Sequence, residues 1–499
     1  MTAAGDRLGP TLFERSHPGR GGGKIPHPPK DALARIPADQ LRTEGPNLPE
    51  VAEPELTRHY INLRQLNYAI DSGFYPLGSC TMKWNPKVNE WAARLPGFVS
   101  LHPFAPDELA QGSLQLLWEL EQALAEIGGM RAVTLQPAAG AQGELTGILM
   151  VRAYHRSRSD LERSEVLVPD SAHGTNPATA SMAGFKTVSI ASASDGGVDI
   201  AAFRAALGPR TAAVMITNPS TLGLFESRIG ELLDAVHAVG ALAYMDGANL
   251  NAIMGRFKPG EAGFDVMHIN VHKTFSTPHG GGGPGAGPVG VGEKLLPFLP
   301  SPRVLRESDG RFRLEHAGER PSSIGRIRSF AGNTAVLVRA YAYIRAHGAS
   351  GLREVSDDAV LAANYMKSEV AGVLDVPFAR HCMHEFVASS ATLKAETGIR
   401  TLDVAKRLID LGFHPPTIYF PLTVEEALLI EPTETESIET LDAFVEALRA
   451  IVHEAHVDPD LLHSAPHSSP VRRLDETSAA RQPNLRWRAM TGGQTPCPD

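Results

Sequence analysis

The chain has 499 residues, of which 42% are hydrophobic and 21% charged, with a formal net charge of -9. Those values exclude a disordered or fibrous chain and leave length for two or three domains with a large core. The acidic balance disfavours a nucleic-acid partner, and no apolar run approaches the roughly 18 residues that a membrane span needs, so neither kind of partner is expected.

The 3 cysteines, Cys80, Cys382 and Cys497, form no disulfide framework and have no zinc-site spacing, so no metal is expected. A sparse thiol set suits a reducing cytosol. Residues 1–26 are polar and glycine-rich, without the apolar core of a secretory signal, so a cytoplasmic location is expected.

Residues 1 to about 55 are rich in Pro, Gly and charge and read as an arm. From residue 133 a strand–helix alternation begins. Residues 133–135 are strand-like, and 143–158 carry a helical stripe at Leu145, Ile148, Leu149 and Tyr154. Strands are expected at 165–168, 212–217, 242–245 and 266–271, with a helix at 229–239 stopped by Gly240. Runs apolar on both faces, alternating with helices, predict a parallel sheet covered on both sides. A helix at 334–347 leads to a second pattern: strand 386–393, helix 402–411, strand 427–430 and helix 441–453. The predicted layout is an N-terminal arm and extension (1–100), a large doubly wound, mainly parallel α/β domain (101–345), a small α/β domain (346–457) and an irregular tail (458–499).

The segment 270–275 (Asn-Val-His-Lys-Thr-Phe) ends an apolar run and precedes Pro278, His279 and the glycines 280–283. A lysine there is held still and open to a flat ligand. Lysine is the residue that condenses with the aldehyde of pyridoxal 5'-phosphate (PLP), so Lys273 and the neighbouring His272 are candidates. Asp246 follows 242–245 directly and precedes Gly247 and Ala248, at a strand's C-terminal end, where ligands bind in open α/β sheets. A carboxylate there can pair with a pyridine nitrogen; capping of the next turn is the alternative.

Three other strand ends carry polar or small residues. Ala139, Gly140, Ala141 and Gln142 sit between a strand and a helix, where backbone N–H groups can reach a phosphate, although a tight turn would look the same. His173 can stack on a cofactor ring or be a satisfied loop residue. Asn218 can donate to a ring oxygen or make an Asx turn before Pro219. The conjunction is more specific than any single member.

Competing motifs are weaker. Residues 285–290 match G-x-G-x-x-G, but they follow a Pro/Gly loop and contain Pro288, unlike a dinucleotide fingerprint. Lys273-Thr274 lacks the glycine of a P-loop. His268 and His272 are four apart without a third metal ligand.

Segments 75–83, 136–144, 171–177, 244–249 and 272–285 together resemble the PLP-carrying second subunit of the P-protein of the glycine cleavage system, glycine dehydrogenase (decarboxylating). The pairs and runs at 384–385, 402–416 and 431–436 extend the match over roughly residues 50 to 490, leaving 490–499 outside it. The resemblance implies a fold-type-I PLP enzyme. Its catalytic residues would be Lys273, His173 and Asp246. Its cofactor-binding set would be Ala139, Gly140, Ala141, Gln142, His173, Asn218, Asp246, Ala248, His272 and Lys273. It implies glycine as substrate, a companion subunit 1, lipoylated H-protein as acceptor, T-protein and L-protein in the wider system, and a heterotetramer of two pairs. Ser276 stands where the long, single-chain form often has a cysteine. Lys83 and His279 are candidates for the glycine carboxylate. Other readings are an aminotransferase, a desulfurase using Cys80, a non-catalytic structural subunit and a nicotinamide-dependent dehydrogenase.

Overall fold

The computed structural model describes residues 9–21, 29, 31–279, 285–316, 318–329 and 332–485; glycines 280–283, Cys497 and residues 490–499 lie outside them. Seven strands build the main sheet: β1 (Ala132–Thr134), β2 (Glu165–Pro169), β3 (Lys186–Ile190), β4 (Thr211–Thr217), β5 (Leu242–Gly247), β6 (Val266–Ile269) and β7 (Val289–Val291). Their order is β1-β7-β6-β5-β4-β2-β3. The pairs β2·β3, β2·β4, β4·β5 and β5·β6 are parallel, while β7 runs antiparallel to both neighbours.

Both faces of the central strands are covered, as their apolar runs require. Every residue of β4 and β5 is buried. Side chains alternate between faces: Val214 and Ile216 pack with Ala243 and Met245 in one cluster, and Ala213 and Met215 with Leu242 and Tyr244 in the other. Each fully buried Leu or Ile stabilises by roughly 1.5–3 kcal/mol.

A hairpin, β8 (Val304–Arg306) and β9 (Phe312–Leu314), precedes the long helix Thr334–Val370. A second sheet of β10 (Phe386–Ser389), β11 (Thr417–Ile418) and β12 (Ala427–Ile430) has the order β10-β12-β11, all antiparallel. Its apolar face packs on the helix Ile438–Val457 through Phe444 and Leu448.

Residues Ile70–His463 form one compact unit. The described residues of Met1–Ala69 and Ser464–Asp499 form the other. In that second unit the helix Glu53–Gln65 buries none of its own residues, and Arg20 pairs with Glu55 at 2.6 Å. The helix Glu476–Arg481, capped by Asp475, falls in the stretch expected to be irregular.

Three expected elements differ from those found. The strand expected at 266–271 ends at Ile269 and turns into the helical segment Val271–Thr274, because the Lys273 and Thr274 amides both donate to the Asn270 carbonyl, at 3.0 and 3.1 Å. The strand expected at 386–393 stops at Ser389, whose hydroxyl accepts from the Ala391 amide at 3.2 Å and starts the helix Ala391–Thr397. The helix expected to end at His347 continues to Val370 after a kink at Gly348, where φ is +62°.

Candidate active site

Five strands that pair in parallel, β3, β2, β4, β5 and β6, bring their C-terminal ends to one rim of the main sheet, the geometry predicted to gather the candidate residues. Asp246 is in β5 and is 2% exposed. Its Oδ2 accepts from Asn176 Nδ2 at 2.9 Å and its Oδ1 from the Ala248 amide at 2.9 Å, while His268 Nε2 lies 3.3 Å from Oδ1. Burial pushes this carboxyl up, but the pull of His268, those two hydrogen bonds and Lys273 together bring it below the usual carboxylate range. Ala248 therefore serves the site through Asp246: its amide is already engaged there.

A network continues outward from this carboxylate. Asn176 also donates to Glu144 Oε2 at 3.0 Å, Thr175 donates to Glu144 Oε1 at 2.7 Å, and His173 Nδ1 lies 2.9 Å from the Thr175 hydroxyl. Tyr244 and His268 are joined at 2.7 Å. Burial, and then the negative charge of Asp246, raise Glu144, whereas Asp246 is lowered, so of the two carboxyl groups Glu144 holds a proton more tightly. His173 is exposed, and burial of its ring nitrogens, followed by Lys273, lowers its affinity for a proton.

Lys273 sits in the helical turn after β6 and donates from Nζ to the Ser79 carbonyl at 2.7 Å. Ser276, three residues on, is buried and donates to the Trp84 carbonyl at 2.8 Å, tying the lysine segment to the 79–85 loop. His272 is held by its neighbours: its carbonyl accepts from His279 Nε2 at 2.8 Å, and burial, then His279, bring its imidazole down to about 3.

The helix Gly140–Ser157 begins after Ala139, and its first backbone bond runs from Gly143 to Ala139, at 2.9 Å. The amides of Gly140, Ala141 and Gln142 precede that bond and have no partner within the helix. The Gln142 side chain is spent on Ala138 N (2.7 Å) and the Ile327 carbonyl (3.3 Å), so its contribution is its backbone. The literal G-x-G-x-x-G run packs here rather than binding a nucleotide: Gly287 N donates to the Pro137 carbonyl at 2.9 Å, and the run enters the strand β7 instead of opening a helix. A Cβ on Gly287 would lie 2.1 Å from the Ala139 carbonyl oxygen.

Asn218 spends Oδ1 on the Glu226 amide at 3.0 Å, and its Nδ2 is buried with no hydrogen-bond partner among the described residues. Thr217 Oγ1, Asn270 Oδ1, Thr274 Oγ1, Thr277 Oγ1 and His272 Nδ1 share that condition around the ends of β4 and β6. Buried polar atoms are normally paired, and their concentration at one rim points to a polar ligand seated there. A flat, anionic group with a ring nitrogen fits the donor set: free helix-terminal amides, a buried ionised acid, an exposed imidazole and a primary amine.

Lys83 is not available for a substrate carboxylate. It is 2% exposed, and its Nζ is taken by Glu434 Oε1 (2.7 Å), Asn251 Oδ1 (2.8 Å) and the Tyr343 hydroxyl (3.3 Å). Glu144, Asn176 and the Ser79 carbonyl were not singled out from sequence, and His268 was weighed only as a metal ligand, not as the partner of Asp246. Glu144 and Asn176 lay inside quoted motifs, so position within a motif was the available signal; nothing in the sequence marks Ser79 as the lysine's partner.

A probable glycine dehydrogenase (decarboxylating) subunit 2 from Halalkalibacterium halodurans is 55% identical over 485 residues, 96% of this chain and 98% of that protein. The chain belongs to the glycine dehydrogenase (decarboxylating) subunit 2 family. Members from Caldanaerobacter subterraneus subsp. tengcongensis (56% identical, 95% of this chain, 98% of the relative) and Thermotoga maritima (55%, 96% and 100%) agree over the same extent. The family model for the glycine dehydrogenase C-terminal domain matches residues 355–467. In fold, the subunit resembles the crystal structure of glycine decarboxylase (P-protein) of the glycine cleavage system in inhibitor-bound form, with TM-score 0.71 at 23% identity, covering 84% of this chain and 94% of that one. Glutamate decarboxylase from Lactobacillus brevis has the same architecture, with TM-score 0.64 at 12% identity over 85% and 97% of the two chains. The fold is the fold-type-I one.

Proposed function

We propose that this chain is the PLP-carrying half of a glycine-decarboxylating enzyme, with Lys273 as the cofactor lysine. It acts as a glycine dehydrogenase (decarboxylating) in the glycine cleavage system, alongside a companion subunit 1. The observation that carries the reading is the pairing of a primary amine with a buried, ionised Asp246 on one sheet rim.

When bound, PLP supplies the electron sink that lets an amino acid lose CO2. Asp246, kept charged by His268, Asn176 and Ala248, would hold the proton on the ring nitrogen. The amides of Gly140, Ala141 and Gln142, with Ala139 as the helix cap, would receive the phosphate. His173 would stack on the ring, and Asn218 Nδ2 would donate to a ring oxygen. Ala248 would act through its bond to Asp246, and His272 would hold the cofactor beside Lys273. The reading implies lipoylated H-protein as the acceptor of the aminomethyl group, with T-protein and L-protein in the wider system. The large sheet domain (101–345) carries these residues, and the small domain (346–457) follows it. The assembly is a heterotetramer in the cytoplasm.

Cys80 disfavours the desulfurase reading. Burial raises its thiol, and the loop that carries it is held on both sides, at Ser79 N and Thr81 N. A purely structural subunit would have no use for Lys273. The test is exchange of labelled bicarbonate into glycine by the purified chain with PLP and lipoylated H-protein, with and without subunit 1. Exchange that requires subunit 1 supports the reading; a lysine-bound cofactor band without exchange in either mixture removes glycine as substrate.

A further inference from the structure

The carbonyl that receives Lys273 belongs to a turn held by two buried carboxyl groups. Glu385 precedes β10 and Glu431 follows β12, one step beyond the antiparallel pair Phe386↔Ile430, so the two acids leave the small sheet side by side. Both are 0% exposed. Glu385 Oε2 accepts from Ser79 N at 2.6 Å and Glu431 Oε2 from Thr81 N at 2.9 Å. The turn is further fixed by Gly78 N to the Leu429 carbonyl (3.2 Å) and Thr417 Oγ1 to the Gly78 carbonyl (2.7 Å). Ser79 and Thr81 have φ of 65° and 48°, left-handed values that non-glycine residues hold only where their surroundings impose them.

The remaining oxygens, Glu385 Oε1 and Glu431 Oε1, have no partner among the described residues, and neither has His384, also 0% exposed, whose Nε2 lies 3.7 and 3.9 Å from them. We propose that Glu385 and Glu431 are positioning residues that hold one proton and one negative charge between them and clamp the 79–81 turn, so that the Ser79 carbonyl docks the Lys273 amine whenever it is not covalently engaged.

Two adjacent buried carboxylates cannot both ionise without a nearby cation. Burial, and then each other's charge, push Glu385 well above the carboxylate range, and burial brings Glu431 to about 7, while burial drops His384 to about 3, leaving it neutral. The other groups acting on the pair are Lys273 on the favourable side and Glu434 on the opposing one, with the Cys80 thiol in the turn itself and Lys83 acting on His384. One net negative charge opposite the freed ammonium of Lys273 stabilises the docked amine.

The dock rests on Lys273 being the PLP lysine; the shared proton does not. Infrared difference spectra of the full chain, wild type minus Glu385→Gln and wild type minus Glu431→Gln, should show a protonated-carboxyl stretch near neutral pH. PLP loading, followed by the visible band of the lysine-bound cofactor, should slow by about ten-fold in Glu385→Ala, the size of one lost hydrogen bond. It should recover in Glu385→Gln, which keeps an oxygen for Ser79 N. Absence of the carboxyl band overturns the shared proton. So does a stoichiometric divalent metal lost in both Gln variants, since a metal needs both carboxylates ionised. Unchanged loading in a folded Glu385→Ala overturns the dock. Loss of bicarbonate exchange alone, with band and loading as expected, touches only the glycine reading.

Discussion

Asp246 and His268 face each other across the parallel pair β5·β6, with Oδ1 3.3 Å from Nε2 and both side chains buried. The register that pairs these residues puts the acid at the C-terminal rim of the sheet and gives it a buried partner that lowers its proton affinity. Asp246→Asn preserves the shape and removes the charge. Glycine decarboxylation should fall by on the order of a hundred- to a thousand-fold, the usual cost of one preorganised electrostatic partner. PLP should still load, and steady-state exchange measured beside the cofactor band separates the two effects.

Lys273→Ala should abolish the lysine-bound cofactor band and the bicarbonate exchange together, with the melting temperature little changed, because among the described residues the side chain makes one hydrogen bond, to Ser79. Retained exchange in this variant would sink the assignment of the lysine.

Gly287→Ala puts a Cβ 2.1 Å from the Ala139 carbonyl oxygen and 3.1 Å from Gly140 N. The turn that starts the phosphate-facing helix must then move. We expect about 1–3 kcal/mol of destabilisation and a larger loss in PLP affinity, read by urea unfolding and by cofactor titration.

The buried pair of Lys83 and Glu434 holds together the 83–85 loop, the helix Thr334–Val370 and the 431–436 loop. Lys83→Met should destabilise by about 3–5 kcal/mol, because it strands a buried carboxylate. Burial lowers the Lys83 ammonium, but Glu434 and Tyr343 together more than offset it, so its folded value lies above the ordinary lysine value. The contribution of this group is therefore present through neutral pH and is lost as pH rises through that folded value. Chemical denaturation across alkaline pH, with and without the substitution, measures it.

Glu121 is buried and lies 2.9 Å from Arg303, yet burial outweighs the arginine and raises the carboxyl from 4.5 to about 7. The folded state then holds a proton that the unfolded state has released, so stability falls as pH rises from 4.5 to about 7. Glu121→Gln should flatten that slope in urea-midpoint measurements at a series of pH values.

Much of the site was legible because the chemistry sits at strand ends. Asp246 directly follows a run apolar on both faces, and such a run ends at the rim of a covered parallel sheet. The helix expected over 143–158 begins three residues earlier, at Gly140, and His173 lies just beyond the end of its strand, as the same logic expected. The strand β3 escaped because its residues Lys186–Ile190 are partly exposed at the sheet edge and lack the apolar run of a buried strand. The strand β7 escaped because Val289–Val291 sits inside a glycine-rich stretch that reads as loop; it becomes a strand only by pairing antiparallel between β1 and β6. Lys83, read as a free cation, is claimed by residues 168 to 351 positions away in the chain.

By itself the sequence determined a mainly parallel α/β sheet, from apolar runs, and, through motifs that resemble it, the family; it also singled out Lys273 as a candidate, because each of these rests on consecutive residues. The tertiary structure alone decided how these two carboxyl groups differ in proton affinity: Asp246 and Glu144 are the same chemistry in the sequence. Asp246 is lowered because His268, Asn176 and Ala248 converge on it, and Glu144 is raised by burial and by the Asp246 charge beside it. Burial and distance set proton affinity, and both come into being only when remote segments pack together.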